Sequence, residues 1–95
     1  MAAYMIVHMT IHDAAYRTAY QQNVPAMVRK HGGEYLARAN VLERLEGDIE
    51  MPQHLAILTF PSLAAIHAFF DSEEYQPYRQ ARQANATCQI IAMET

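Results

Sequence analysis

The stretch AYMIVHMTI, residues 3–11, is apolar on both sides of the strand that it predicts. Met5, Val7 and Met9 alternate along it with Ile6 and His8. Since successive side chains of a strand point to opposite faces of a sheet, both faces of this strand must be covered. The stretch HLAILTF, residues 54–60, repeats the pattern. Two such strands predict the centre of one sheet.

A helix is predicted directly after the first strand. Apolar and aromatic side chains recur there at spacings of three and four: Tyr16, Tyr20, Val24, Met27 and Val28. Asp13 precedes them as an N-cap, and Gly32 with Gly33 ends the segment, because glycine adopts the left-handed turn without steric cost. Pro25 lacks a backbone donor and disfavours helical geometry at the residue before it. We therefore expect a kink or break near residues 22–24.

A second strand is predicted from Glu34 to about Leu45. It would place Tyr35, Ala37 and Ala39 on one side and Leu36, Arg38 and Asn40 on the other, with a bulge near residues 40–41. The stretch EGDIEMPQ, residues 46–53, then forms a loop. Four charged residues lie in or beside this strand: Arg38, Glu43, Arg44 and Glu46. They indicate an outer strand in which charge discourages wrong pairing and whose second face meets a partner subunit.

The second half of the chain predicts more helix and a last strand. Ser62 is placed to cap a helix carrying Leu63, Ile66, Phe69 and Phe70, and Ser72 to cap a second helix. Pro77 would fall in the first turn of that second helix, where proline costs least. The stretch ATCQIIAME, residues 86–94, is a short apolar strand.

The order strand, helix, strand, strand, helix, strand predicts a ferredoxin-like split βαβ fold of the α+β class. Its four-stranded antiparallel sheet would have the order 4-1-3-2, in a single domain spanning residues 1–95. Both helical regions would cover the same face, leaving Tyr4, Ile6 and His8 on a face too apolar to stay in water. We therefore expect a homodimer through the sheet faces, which closes a dimeric α+β barrel.

Composition excludes several kinds of partner. The 95 residues are 52% hydrophobic and 18% charged, which is typical of a folded globular domain. A net charge of −3 without a basic cluster argues against nucleic acid. A lone Cys88 in an apolar run and the absence of a leader or membrane-length stretch predict a cytoplasmic protein without a membrane partner.

Several motifs together resemble a known family. They are the pair Tyr16 and Tyr20 after Asp13, KHGGEYLAR (30–38), VLERLEGD (41–48), FPSLAAIHAFFDSEEY (60–75) and Arg82 before the last strand. In this order the chain is similar over its whole length to domain-of-unknown-function family 1330, small dimeric α+β barrel proteins. The resemblance implies that barrel fold. The wider superfamily looks similar in fold to antibiotic-biosynthesis monooxygenases, haem proteins of the chlorite-dismutase type and stress-responsive barrel proteins, so the fold permits an enzyme without implying one.

Metal binding is not predicted. The five histidines do not form a compact ligand set: His8 and His12 are about 13 Å apart along a strand, and His31, His54 and His67 are isolated. No glycine-rich phosphate loop and no activated nucleophile is visible either. The sequence therefore predicts neither a metal nor a cofactor.

Six residues are candidate ligand contacts: His8, Tyr35, Arg38, His54, Tyr75 and Arg82. His8 interrupts an apolar central strand, so it is either a hydrogen-bonded residue of a dimer interface or a ligand or catalytic group, and it is the one candidate catalytic residue. Each arginine offers a planar fork to a carboxylate, either of the protein or of a ligand. The tyrosines either line an aromatic cleft between helices and sheet or belong to the core.

The predicted function is binding of a small aromatic or carboxylate ligand between helices and sheet. Two alternatives stay open. One is a cofactor-independent monooxygenase or an isomerase-like enzyme, with His8 or His54 as its base. The other is a structural or interaction dimer without a ligand.

Overall fold

The computed structural model describes residues 2–95, which form four strands and three α-helices. The elements in chain order are β1 (Ala3–Ile11), a 3₁₀ turn (Ala14–Tyr16), α1 (Arg17–Lys30), β2 (Glu34–Ala39), β3 (His54–Phe60), α2 (Leu63–Phe70), α3 (Gln76–Asn85) and β4 (Ala86–Glu94). All neighbouring strands are antiparallel, in the order β2-β3-β1-β4. This is the predicted order 4-1-3-2 read from the other edge, so the predicted ferredoxin-like fold is confirmed.

The core lies between the sheet and the helices. Met5 of β1 pairs with Leu58 of β3, and Ala3 pairs with Phe60; all four side chains are buried. Val24 and Val28 of α1 and Ile66 and Phe69 of α2 cover them. The Cα atoms span only 17 Å in the thin direction, which is the depth of one sheet and one helical layer.

Ser62 caps α2 as predicted, and Asp13 caps the 3₁₀ turn that leads directly into α1 at Arg17. A side-chain oxygen of Asp13 accepts a hydrogen bond from the Ala15 amide at 2.9 Å. The hydroxyl of Ser62 accepts one from the Ala65 amide at 3.1 Å. Each bond satisfies a backbone donor that the first turn of a helix leaves without a partner.

The predicted cap of the last helix is wrong. The hydroxyl of Ser72 donates to the Phe69 carbonyl at 2.8 Å, so this side chain closes the end of α2 and does not begin α3. α3 begins at Gln76, directly after Tyr75, which occupies the N-cap position without a side-chain cap bond. Pro77 lies in the first turn of α3, as predicted.

Of the kink or break predicted near residues 22–24, the break is wrong. α1 runs without interruption from Arg17 to Lys30 and contains Pro25. Proline removes one backbone hydrogen bond, to the carbonyl four residues earlier. The packing of Val24 and Val28, each 1% exposed, against the sheet outweighs that loss.

The glycine pair ends α1 as predicted. Gly32 has a φ of 81°, in the left-handed region that favours glycine. Gly33 is required by close packing, because a Cβ atom there would lie 2.6 Å from the Phe60 ring and 2.8 Å from Val28. The chain can therefore turn from α1 into β2 directly against the core.

The second strand is shorter than predicted. β2 ends at Ala39, and residues 40–53 form a loop without regular structure. Glu43, Arg44 and Glu46 therefore lie in a loop and do not set strand register. Arg44 donates instead to the carbonyls of Gly47 and Ile49, at 2.8 and 2.6 Å. This arginine thus stabilises the loop and not the edge of the sheet.

The bulge also lies elsewhere than predicted. The register of β2 against β3 shifts between Tyr35 and Ala37, not at residues 40–41. Because an extra residue inverts the alternation that follows it, Arg38 comes to the same face as Tyr35. The predicted separation of these two side chains onto opposite faces is wrong for this reason.

The other face of the sheet carries no helix of the described residues. Its apolar side chains come from three strands: Tyr4 and Ile6 of β1, Leu55 and Ile57 of β3, and Ile91 and Met93 of β4. Ile91 is 62% and Met93 48% exposed. His8 lies on this face too, since it alternates with Val7 and Met9. We call this surface the free face.

Candidate functional site

A cavity of about 530 Å³ lies between α1 and the covered face of the sheet. Met5 and Val7 of β1 with Ala56 and Leu58 of β3 form its floor. Three residues of α1 face them from the opposite side, namely Val24, Pro25 and Val28. The volume of the cavity falls within the range of small-molecule sites.

Arg82 is the most unusual side chain of the cavity wall. It belongs to α3, is only 4% exposed, and has no acidic partner within ion-pair distance among residues 2–95. Its Nε donates to the Tyr75 hydroxyl at 3.4 Å, while Nη2 has no hydrogen-bond partner in the described part of the chain. Burial opposes its charging, but Tyr75 and the thiol of Cys88 outweigh this and hold the pKa of Arg82 above its ordinary value. The guanidinium is therefore a buried cation.

Two tyrosines of the cavity wall are linked to Arg82 by hydrogen bonds. The hydroxyls of Tyr20 and Tyr75 are 2.7 Å apart, and their rings pack edge to face. Burial, followed by the proximity of Tyr75, raises the pKa of Tyr20 well above its ordinary value. The two hydroxyls form one hydrogen-bonded chain with Arg82. At neutral pH Tyr20 therefore acts as a hydrogen-bond donor or acceptor and not as a base.

The β2 side of the cavity is formed by Tyr35 and Arg38. The Arg38 guanidinium carbon lies 4.9 Å from the centre of the Tyr35 ring, a cation–π contact. Burial raises the pKa of Tyr35, against an opposing effect of Arg38. His54, at the start of β3, and Asn40 complete this side.

The charge of the lining is one-sided. Three arginines and one histidine line the cavity (Arg17, Arg38, Arg82 and His54), and no aspartate or glutamate of residues 2–95 does. The whole chain nevertheless has ten acidic and seven basic residues. The cavity is thus a locally positive region in a protein of negative net charge, an arrangement that favours anions.

Five of the six candidate contacts lie together in this cavity: Tyr35, Arg38, His54, Tyr75 and Arg82. Their role as ligand contacts stays a prediction. His8 is the exception, because strand alternation places it on the free face. Its position therefore does not support a catalytic role for His8 in this cavity.

Arg17 and Gln21 line the cavity without having been singled out from the sequence. They follow Tyr16 and Tyr20 by one position each, so a helix that points the tyrosines at the cavity brings them to its rim. This spacing was the sequence signal that could have identified Arg17 and Gln21 as lining residues. The sequence could not predict that Arg82 lacks an acidic partner within residues 2–95, since this depends on tertiary packing.

Neither a metal-ligand cluster nor a membrane-spanning helix occurs in the described part of the chain. Across residues 2–95 no three His, Cys, Asp or Glu side chains come together as metal ligands would. Within the same residues no helix has the length and apolar character needed to cross a membrane.

Solved structures with the same fold include proteins of unknown function. RPA0582 from Rhodopseudomonas palustris has a TM-score of 0.83 at 19% identity, with 99% of this chain and 82% of that chain covered. A dimeric ferredoxin-like protein from Jannaschia sp. CCS1 has a TM-score of 0.67 at 12% identity, with 100% of both chains covered.

Solved structures with the same fold also include proteins described as enzymes. SnoaB from Streptomyces nogalater, a cofactor-independent oxygenase, has a TM-score of 0.69 at 14% identity, with 99% of this chain and 92% of that chain covered. At such identities the likeness concerns the fold alone. A comparison with curated proteins finds no match. The family described as Domain of unknown function (DUF1330) matches residues 2–95, and the chain therefore belongs to it.

Proposed function

We propose that this protein binds a small, largely apolar organic anion, such as an aromatic carboxylate, in the cavity between α1 and the sheet. The observation that carries the proposal is the buried guanidinium of Arg82, whose Nη2 has no hydrogen-bond partner within residues 2–95. No acidic side chain of residues 2–95 lines the cavity around it.

A buried charge without a compensating partner is costly for the free protein. Two other cations of the chain have acidic partners: Lys30 pairs with Glu74 at 3.3 Å and Arg79 with Asp71 at 3.5 Å. Arg82 interacts instead with the Tyr75 hydroxyl, at 3.4 Å, and with the Cys88 thiol, and with no carboxylate of residues 2–95. A carboxylate offers a guanidinium two parallel hydrogen bonds and a compensating charge. A bound anion would therefore remove a cost that the free protein carries.

The other residues that line the cavity favour a ligand whose uncharged part is apolar. The floor and roof of the cavity consist of aliphatic side chains, with Phe69 and the tyrosines around them. Apolar surface of a ligand would be removed from water there. An aromatic ring joined to a carboxylate fits both parts of the site.

The experiment is a thermal-shift comparison of three probes of similar shape: benzoate, neutral benzamide and cationic benzylamine. We expect benzoate to raise Tm and the other two to leave it nearly unchanged, since a ligand specific for the native state stabilises it. Saturation at about one hundred times Kd would add about 2.7 kcal/mol to the free energy of unfolding. Equal shifts with benzoate and benzamide, or none with any aromatic carboxylate of a wider panel, would contradict the proposal.

Variants locate the binding. Arg82→Gln should abolish the benzoate response, whereas Arg79→Gln, on the same helix but outside the cavity, should keep it. If Arg82→Gln does not fold, the charge discrimination by the unmodified protein still decides the matter.

A second candidate function is a cofactor-independent oxygenase. Half-buried His54 in the cavity and the fold shared with SnoaB favour it. His54 would take the proton of a hydroxyaromatic, which dioxygen would oxidise to a quinone with water as the other product. Oxygen uptake with a panel of hydroxyaromatics, lost in His54→Ala, tests this; no uptake with any of them counts against it.

We also propose that a second copy of the chain covers the free face. Its exposed Ile91 and Met93, with Ile6 and Ile57 beside them, form an apolar surface of the kind that marks association. The Jannaschia protein of the same fold is described as dimeric. A dimer without any ligand remains the outcome if no probe binds.

A further inference from the structure

The register of the sheet places Arg38 at one end of a row of paired residues that crosses the floor of the cavity. Arg38 of β2 pairs with Ala56 of β3, Ala56 pairs with Val7 of β1, and Val7 pairs with Ile90 of β4. This single row crosses all four strands, and all four residues line the cavity.

Arg82 lies at the far end of the row. It shares a second hollow with Cys88 and Ile90 of β4, and it also lines the main cavity. Since neighbouring strands are about 4.8 Å apart, the backbones of β2 and β4 are separated by roughly 14 Å. Arg38 and Arg82 thus approach the same cavity from its two edges.

The residues of the row that lie between the two edges of the cavity are apolar. Val7 and Ala56 form the middle of the row, and Val24 and Val28 of α1 lie above it. Neither Arg38 nor Arg82 is in an ion pair within residues 2–95. A ligand with one anionic group would compensate only one of these cations.

We infer that the site prefers an elongated dianion: an organic molecule with two carboxylates at opposite ends of an apolar middle, one at Arg82 and one at Arg38. This inference rests on the proposed function and specifies its ligand class. The inner carboxylate contacts the buried Arg82 and Tyr75. The outer carboxylate contacts Arg38, an exposed residue whose guanidinium packs on the Tyr35 ring.

The test compares benzoate with three benzenedicarboxylates whose carboxylates are in para, meta and ortho positions. Titration calorimetry should show the para isomer, terephthalate, binding at least about tenfold more tightly than benzoate and the ortho isomer losing this advantage. Arg38→Gln should remove this advantage, so that the variant binds terephthalate and benzoate with affinities within about twofold of each other. Arg79→Gln is the matched control and should change neither.

Three results would overturn the inference. Equal affinities for benzoate and terephthalate would remove the second anionic subsite while leaving the proposed function intact. An advantage of terephthalate that persists in Arg38→Gln, or that disappears in Arg17→Gln instead, would exclude Arg38 as its partner. Absence of binding by all four acids would reject the proposed function as well.

Discussion

The covered face and the free face of the sheet are built from alternate residues of the same strands, but they differ in what lies on them. On the covered face Met5, Leu58 and Phe60 are at most 5% exposed. On the free face Ile91 and Met93 stay about half exposed or more. The strands supply two apolar surfaces, while the connections of a split βαβ fold bring helices to only one of them.

The two faces also differ in charge. The covered face leaves a cavity with Arg38 and Arg82, whereas the free face offers mainly aliphatic side chains around His8. We therefore propose ligand binding for the first face and association for the second. Substitutions on the two faces, including two on β3, test these different roles.

Truncation of the covered face should have the largest effect. Phe60, at 2% exposure, packs on Phe69 with ring centres 5.8 Å apart. Phe60→Ala should lower the free energy of unfolding by about 3–5 kcal/mol, because it leaves a core cavity. Urea denaturation measures this. A loss below about 1 kcal/mol would contradict the packing described, and Phe60→Leu, with an expected loss below about 1.5 kcal/mol, is the control.

A charge on the free face should separate subunits without unfolding them. Ile57 lies three residues before Phe60 on β3 but points to the free face. Ile57→Asp should weaken self-association at least about 100-fold, about 2.7 kcal/mol, because each carboxylate would be buried at the interface. Sedimentation should then give the 10.8 kDa of one chain in place of twice that mass.

The control for this experiment is Ala64→Asp, which adds the same charge on the exposed side of α2. It should leave the dimer intact. A monomeric unmodified protein, or an Ile57→Asp variant that stays dimeric, would contradict the role given to the free face.

Alkaline pH should produce the smallest effect. Burial raises the pKa of Tyr20 in the folded protein above its ordinary value of 10.0. Well below pH 10 both states keep the proton, so stability is unaffected; above about pH 10 the unfolded chain loses the proton first, and stability falls as pH rises. The free energy of unfolding should fall by up to about 1.4 kcal/mol per pH unit for this group.

Urea denaturation between about pH 8 and pH 11 should show a shallower fall in the free energy of unfolding for Tyr20→Phe than for the unmodified protein. Identical slopes against pH would contradict the buried position of Tyr20.

Much of the fold was predictable from local pattern. The alternation in residues 3–11 and 54–60 indicated both central strands, and Asp13, Ser62 and Gly32 marked helix ends correctly, because these signals act over a few residues. The uninterrupted helix through Pro25 was not predictable, since packing of the helix against the sheet decides it. The end of β2 at Ala39 was missed because the alternation continues into a loop that Arg44 stabilises through backbone carbonyls.

Five of the six candidate residues line one cavity, but their arrangement in it was not predictable from the sequence. Arg38 and Arg82 stood out as possible carboxylate partners, yet the bulge in β2 that turns Arg38 toward the cavity has no clear sequence signal. Arg82 has no acidic partner within residues 2–95, and no local pattern predicts which side chains tertiary packing brings together. His8 is a polar residue in an apolar strand, but strand alternation places it opposite the cavity.

A crystal structure with terephthalate bound tests the role of Arg82 most directly. We expect a carboxylate in the cavity with an oxygen about 3 Å from a guanidinium nitrogen of Arg82, within hydrogen-bond distance. A ligand that binds elsewhere, or one that lies in the cavity with its carboxylates turned away from Arg82 toward solvent, would contradict it.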